Sequence, residues 1–436
     1  MLLFSAKYEI IHKIKGGTGM EIYYVTPNET IKETDSKSIN AAIVKAKERG
    51  YDKVIIPKLN KRTNEALWVI DETISLPSDI ELVIDNAHLV MADDTFCNMI
   101  ANENYLNGKS VNVEDFQKNI YITGVGNAII DGGKYNGLSE FNHSRDGRPP
   151  IRVNTPIMFV NCENVHIDGI KVINQRYWGI NNVCVRHSSF RNIEFKADLS
   201  RVDENGVLHK GESPLRKESG NIDYNSIYVK NADGIDLRAG CHHILIENIT
   251  GFTEDDTVAL TALQSKKSDY FPEELADSIH DVIIRNVASD CFITSNVRLL
   301  TSNGKKMYNI LVDGVTDTRE TDAYESKATV RINDVHPYGN GQFPVMGDTK
   351  NIIIKNVISK SMKGVSLANV VENLVVDSVT MIEDGITNVG VHEESRTVEV
   401  KNATFRNLKN FANGNKYFGK PNLIDDDKLS GSYTIE

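Results

Sequence analysis

The chain carries little that would lock it covalently or place it in a membrane. Its 436 residues include five cysteines, Cys97, Cys162, Cys184, Cys241 and Cys291. The count is odd and no C-x-x-C pair occurs, so neither a disulfide framework nor a thiolate zinc site is implied; reduced, buried thiols in a cytoplasmic protein fit this usage. No apolar run approaches the ~20 residues of a membrane helix. The opening MLLFSAKYEIIHKIKGGTG breaks its short apolar runs with Lys7, Glu9, His12 and Lys13 and lacks a small-residue cleavage site, so it does not read as a signal peptide. Positive charge is also scarce. A formal net charge of -11 argues against nucleic acid as a partner. No Pro/Gly/Ser-rich linker divides the sequence. No nucleotide motif or dedicated metal-ligand cluster is evident, so no cofactor and no metal are expected. Residues 1–19 read as a non-native or disordered extension, with Met20 as an alternative start, because Lys15-Gly16-Gly17 can be encoded by a ribosome-binding sequence. Residues 20–436 read as one domain.

What is present is repetition. Within TDSKSINAAIVKAKERG, Ile39, Ala42, Ile43 and Ala46 follow the spacing of an amphipathic helix, with Asp35 or Ser36 as its cap and Gly50 at its end. Short strands follow: KVIIP, WVIDETISLP and IELVIDNAHLVMADD. From about residue 118 a refrain recurs, a polar turn, a β-branched strand, Asn or Asp-Gly, then another apolar pair. NIYITGVG, ENVHIDGIKVIN, HHILIENITGF, HDVIIRNVAS, YNILVDGVTD, KNIIIKNVIS and ENLVVDSVTM are copies of it. Ile352 to Leu374 spans 22 residues, Leu374 to Val398 spans 24, and Ile310 to Ile352 spans 42, one turn plus an insertion. A turn of this length cannot bury its own apolar face, but stacked turns bury a continuous core. Asn and Gly at the corners suit left-handed backbone. The Leu-x-x-Leu-x-Leu pattern of a leucine-rich repeat is absent. The expected fold is therefore all-β, a right-handed single-stranded parallel β-helix whose open N-terminal end is covered by the helix at 36–49.

Insertions interrupt the period at about 134–155, 200–222, 263–278, 316–326 and 334–348. Solenoid insertions commonly cluster on the binding side, and Arg145, Arg148, Arg152, Lys210, Arg216 and Lys217 lie within two of these.

The chemistry concentrates in NADGIDLRAGCHHILIENITGFTEDDTVALTAL. Asp233 precedes Asp255 by 22 residues, one turn of the coil, so Asp233, Asp255 and Asp256 should meet on adjacent rungs ~5 Å apart. Stacked carboxylates repel. Glycoside hydrolysis uses such a cluster, one acid protonating the leaving oxygen and another carboxylate activating water, with repulsion keeping one of them protonated near neutral pH. Both Asp255 and Asp256 reach one face only if the strand ends or bends there.

At these residues the chain resembles the family 28 glycoside hydrolases, the polygalacturonase-like β-helix enzymes, whose pattern runs N-T-D, G-D-D, G-H-G, R-I-K. Here N-T-D is matched by Asn231-Ala232-Asp233, G-D-D by Glu254-Asp255-Asp256 and R-I-K by Arg331-Ile332-Asn333. SLPSDIELVID, NIYITGVGNAIIDG and IMFVNCENVHIDGIKVINQRYWGI also come in the family's order, and the resemblance covers about residues 30 to 360. It implies an inverting hydrolase acting on a pectin-type or related oligo- or polysaccharide, with Asp255 as general acid and Asp233 and Asp256 holding and deprotonating the water. It also implies that Arg331 binds sugar. The G-H-G rung reads TSNVRLL, placing Asn296 near the family's histidine and Arg298 as a replacement cation, and the family's lysine is Asn333; a substrate other than plain homogalacturonan is expected. Asp236 reads as a turn cap, His242 and His243 as structural turn residues, and Trp178 as a packing residue or a sugar platform. A lyase or epimerase on the same fold, or a non-catalytic glycan-binding coil, are the alternatives.

Overall fold

The computed structural model describes residues 23–436 apart from 94, 134–154, 198–200, 203–207, 210–232, 264–274, 293, 303, 320–327, 337–341, 384–385, 393–397 and 413–420. The extension expected at 1–19 and the basic residues of the first two insertions lie outside the described residues.

Twenty-six strands form one sheet that winds as a right-handed parallel β-helix, and every pairing in it is parallel. Antiparallel pairing among the described residues is limited to a two-residue ribbon, Arg201–Val202 with Leu208–His209, and an isolated bridge between Asn60 and Glu65. Alternation drives the coil. In the strand Thr349–Ser359, Ile352 and Ile354 are fully buried while Ile353 is 42% exposed, because successive side chains point to opposite faces and only one face meets the stacked interior. Isoleucine, valine and leucine from successive rungs form one continuous core from Val25 to Phe405.

The expected steps hold at Ile310, Ile352 and Leu374, which pair in that order. The last one does not. Leu374 pairs with Ala403, a step of 29 rather than 24, because the refrain's register is carried by its corner asparagine, Asn373 and then Asn402, and not by the valines that look alike.

That corner is the most regular part of the molecule. The pairings align Asp79, Asn119, Asn164, His187, His243, Asp281, Asn309, Asn351, Asn373 and Asn402 in one column. All ten have positive φ, between 51° and 58°, the left-handed conformation that asparagine and aspartate tolerate better than other side chains. The amides stack: Asn402 Nδ2 donates to Asn373 Oδ1 (3.1 Å), Asn373 to Asn351 (2.9 Å), Asn351 to Asn309 (3.0 Å) and Asn309 to the Asp281 carboxylate (3.0 Å). A second run goes from Asn164 to Asn119 (2.6 Å) and on to Asp79 (2.5 Å).

The capping helix spans Asp35–Glu48 and buries Ile39, Ala42, Ile43 and Ala46 on the first turns. Its cap is Thr34, whose hydroxyl accepts from Lys37 N at 3.3 Å, not Asp35 or Ser36. Those two are buried because they tie the helix to the coil instead: Asp35 accepts from Arg62 Nε (2.6 Å) and Val69 N (2.8 Å), and Ser36 Oγ accepts from Asp71 N (2.9 Å).

Candidate active site

One face of the coil is built from the strands Ile235–Arg238, Val258–Ala262, Ser295–Thr301, Ala328–Ile332 and Lys363–Leu367. Asn181, Asp236, Ala259, Arg298, Arg331 and Ser366 stack along it in register, between the core-facing residues of each strand. Four of the five expected insertions adjoin a described strand of this face or of its continuation at Ile157, at Ile157, Ala262, Ala328 and Ile332; the ends of the one at 200–222 lie outside the described residues.

The acidic residues meet at the start of this face. The strand His242–Thr253 stops before Glu254 and the next begins at Val258, so Asp255 and Asp256 sit in the bend that both need to share one side. Thr253 Oγ1 donates to Asp255 O at 2.7 Å and fixes that bend. Gly234 N donates to Asp256 O at 2.9 Å, and Asp236 pairs with Ala259. The local step is therefore 23, which sets Asp233 beside Asp256 rather than Asp255. Gly234 makes the stacking possible, since a Cβ there would come within 2.5 Å of Thr257 O. One oxygen from each of Asp233, Asp255 and Asp256 lies within 4.8 Å of the others. Asp256 is buried, Asp233 nearly so, and Asp255 is the most open of the three.

The hydrogen bonds divide the roles. Asp256 accepts from Thr294 Oγ1 (2.7 Å), Ser295 Oγ (2.5 Å) and Arg298 Nη1 (3.3 Å). Thr294 Oγ1 also contacts Asp255 Oδ1. A hydroxyl has one proton, so Thr294 can donate to only one of the two carboxylates at a time. Burial, then the neighbouring Asp236, Asp255 and Asp256 charges, push Asp233 well above the usual carboxylate range. Asp236 is not a turn cap. It lies inside a strand, fully buried, and burial raises its carboxyl to about 7 despite the opposing Arg238 guanidinium, Nη2 to Oδ1 3.0 Å, and its contact with Asp233. The three clustered carboxylates are close enough to share a cation, although Asp256 already faces three donors.

The basic side of the face is an alternating chain of charges. Arg298 bridges Asp256 and Asp334, and Arg331 Nη2 stands 2.7 Å from Asp334 Oδ1. Burial alone would raise the Asp334 carboxyl, but the Arg331 and Arg298 guanidiniums and the backbone N–H groups of His336 and Val335 hold it below the ordinary range. Arg238 lies over the Trp178 ring at 3.8 Å and donates to Thr261 Oγ1 at 2.7 Å. Gly179 N donates to Asp233 O at 2.9 Å, which sets Trp178 one rung before the acids.

Two expected substrate-binding residues do not reach the face. Asn296 is fully buried and its amide donates to Ser289 O (2.6 Å) and Ser289 Oγ (2.8 Å) inside the corner. Asn333 is also fully buried, has φ 60°, and donates to Thr349 Oγ1 and Val370 O while accepting from Thr301 N. Both close corners of the coil, so aligning them with the motif letters G-H-G and R-I-K misplaced their side chains. The residues that do stand among the charges, Asp334, Thr294 and Ser295, were not singled out; their signal was position, Asp334 following Arg331 by three residues and Thr294 and Ser295 opening the Arg298 strand.

No family model matches the chain, and no curated protein sequence matches it. Solved structures do. The exopolygalacturonase of Thermotoga maritima superposes with a TM-score of 0.52 at 14% identity over 95% of this chain and 91% of that one. The family 28 exopolygalacturonase of Yersinia enterocolitica gives 0.51 at 13%, covering 97% and 80%. The mannuronan C-5 epimerase A-module of Azotobacter vinelandii gives 0.53 at 12%, covering 94% and 97%. At such identities the likeness establishes the parallel β-helix fold, and a fold that carries both hydrolases and an epimerase leaves the chemistry to be argued from the site.

Proposed function

We propose that this chain is a glycoside hydrolase that cleaves a pectin-type or related oligo- or polysaccharide by general acid/base catalysis. The observation that carries the reading is the cluster of Asp233, Asp255 and Asp256 with Thr294 between two of them. Asp255, the most open of the three, protonates the leaving oxygen. Asp256, held by three donors, and Asp233 position and deprotonate the attacking water. Trp178 and the Arg298–Asp334–Arg331 row flank the acids and line the sugar path. Arg298 and Arg331 are met there by two carboxylates, Asp334 and Asp256, so the row offers no large excess of positive charge; this favours a sugar other than the uronic acid of plain homogalacturonan.

The resemblance implies inversion of the anomeric centre. Inverting enzymes usually separate acid and base by ~6.5–9.5 Å, and the nearest oxygens here are closer, within 4.8 Å. That observation favours a second reading in which one carboxylate attacks the sugar directly and configuration is retained. A panel of pectic, other uronic and deoxy-sugar oligosaccharides, with the first-formed anomer read by NMR, separates the two. Expected is an inverted product, with the rate reduced about 10²–10⁴-fold in Asp255→Asn. Unchanged hydrolysis in that variant removes the central assignment. An ultraviolet-absorbing unsaturated product would instead make the chain a lyase, and saccharide binding without turnover across the panel would make it a glycan-binding coil.

A further inference from the structure

The corner column of left-handed residues is asparagine or aspartate on eight rungs and histidine on two adjacent ones, His187 and His243. Those two rungs interrupt the amide ladder. Histidine gains nothing from the corner's backbone that asparagine lacks, and it forfeits the inter-rung hydrogen bonds seen above and below. The neighbouring column supplies His242 and His280, which stack with their rings 4.7 Å apart. The His187 ring lies 4.8 Å from that of His243 and 5.6 Å from that of His242. His242 Nδ1 and His243 Nδ1 point at each other across 2.8 Å. Behind them Asp281 stands 3.8 Å from His243 Nε2 and 2.7 Å from His280 Nδ1.

We propose that His187, His242 and His243 bind a divalent transition-metal ion such as zinc, with Asp281 as the carboxylate that orients the cluster. Ring nitrogens from all three histidines come within 4.8 Å of one another. An ion with metal–nitrogen distances of ~2.0–2.1 Å would need the two facing nitrogens to open by only about 0.5 Å. Metal-bound histidines usually direct their second ring nitrogen to a carboxylate, which is the place Asp281 occupies beside His243. Imidazoles select zinc, nickel or copper over calcium and magnesium, unlike the carboxylates of the candidate active site. His187 and His243 are exposed, so the remaining position of a four-coordinate ion opens to solvent, and a site that joins two rungs where the ladder is broken restores the link that asparagine makes elsewhere.

The test uses the untagged full chain, stripped with chelator, loaded with zinc and dialysed. His187→Asn and His243→Asn install the column's own residue, so these variants keep the corner conformation. Expected are one zinc per wild-type chain, its loss in the double variant, its weakening in His243→Asn alone, and its retention in Asp255→Asn. Cobalt in place of zinc should give the visible absorption of a four-coordinate nitrogen site, absent in the double variant. No zinc retained by the wild-type chain, or equal zinc in the double variant, overturns the proposal, as does loss of zinc in Asp255→Asn with retention in His243→Asn.

Discussion

The two polar columns of this coil are made by the same repeat and obey opposite rules. Along the corner, the same side chain recurs on rung after rung, each amide satisfied by the next, and the column is neutral where it is asparagine. Along the open face, the register residues change at every step, Asn181, Asp236, Ala259, Arg298, Arg331, Ser366. Charged groups there are largely buried, and they are balanced by partners within a rung, as in Arg238–Asp236 and Arg331–Asp334, and across rungs through Arg298. Repetition in a solenoid marks what holds the turns together. Departure from it, especially by buried charge, marks what the fold has been made to carry, since such groups are expensive to bury and stay stable only as a network.

The sharpest way to test this contrast is to remove the centre of the charged row. Asp334 lies between two guanidiniums and is almost fully buried. Asp334→Asn should destabilise the chain by about 3–5 kcal/mol, the usual penalty for leaving a buried cation unpaired. Replacing Arg331 by Met in the same chain should return part of that loss. Urea unfolding of the two single variants and the double measures the coupling; additivity would mean that the row is not a network.

Much of this was readable from residues alone. The coil followed from the recurring β-branched strand and its corner Asn or Asp-Gly, because a period that repeats along most of the chain outweighs any local ambiguity. Asp233 and Asp255 were brought together by counting, since one turn of coil separates them. What counting could not supply was phase. The local step is 23 rather than 22, and Leu374 meets Ala403 rather than Val398, because a corner can absorb a residue without changing the strand pattern on either side. Phase also decides which way a side chain faces, and so Asn296 and Asn333, adjacent to cleft residues in sequence, turned out to be buried in corners. Asp334 and Thr294 were missed for a different reason: Arg298, which joins Asp334 to the acids, and the carboxylates that Thr294 contacts lie on neighbouring rungs, more than thirty residues away.

A second test concerns the acid pair Asp233 and Asp236. The unfolded Asp236 carboxyl has a pKa near 3.8, and the folded one is raised to about 7. Between these values the folded chain keeps a proton that the unfolded chain has released, so stability falls as pH rises, by at most about 1.4 kcal/mol per pH unit for one group. Asp233 shifts in the same direction. The carboxyls held low, such as Asp131, Asp313 and Asp334, act oppositely at more acidic pH, and His166 and His242, whose burial lowers them to about 4, oppose the pair up to about pH 6.5, so the pair is read from the difference between wild type and variant between pH 5 and 8. Asp236→Asn should flatten the decline across that window. An equal slope in variant and wild type, read from denaturant midpoints at several pH values, would mean that the pair is not desolvated.

The smallest effect is expected in the corner, where two substitutions at one residue separate its two contributions. Asn351 has φ 56°, donates to Asn309 and accepts from Asn373. Asn351→Gly removes both hydrogen bonds but keeps the backbone at ease. Asn351→Ala removes them and adds the strain of a Cβ in the left-handed region, roughly 1–2 kcal/mol. Alanine should therefore be the worse substitution by about 1 kcal/mol, despite glycine's greater freedom when unfolded. Because the amides are exposed, the glycine variant itself should lose no more than about 1 kcal/mol. If glycine costs as much as alanine, the column holds the turns together by its hydrogen bonds and not by its backbone; if both are silent, the regularity of the corner reflects the geometry of the coil without contributing to its stability.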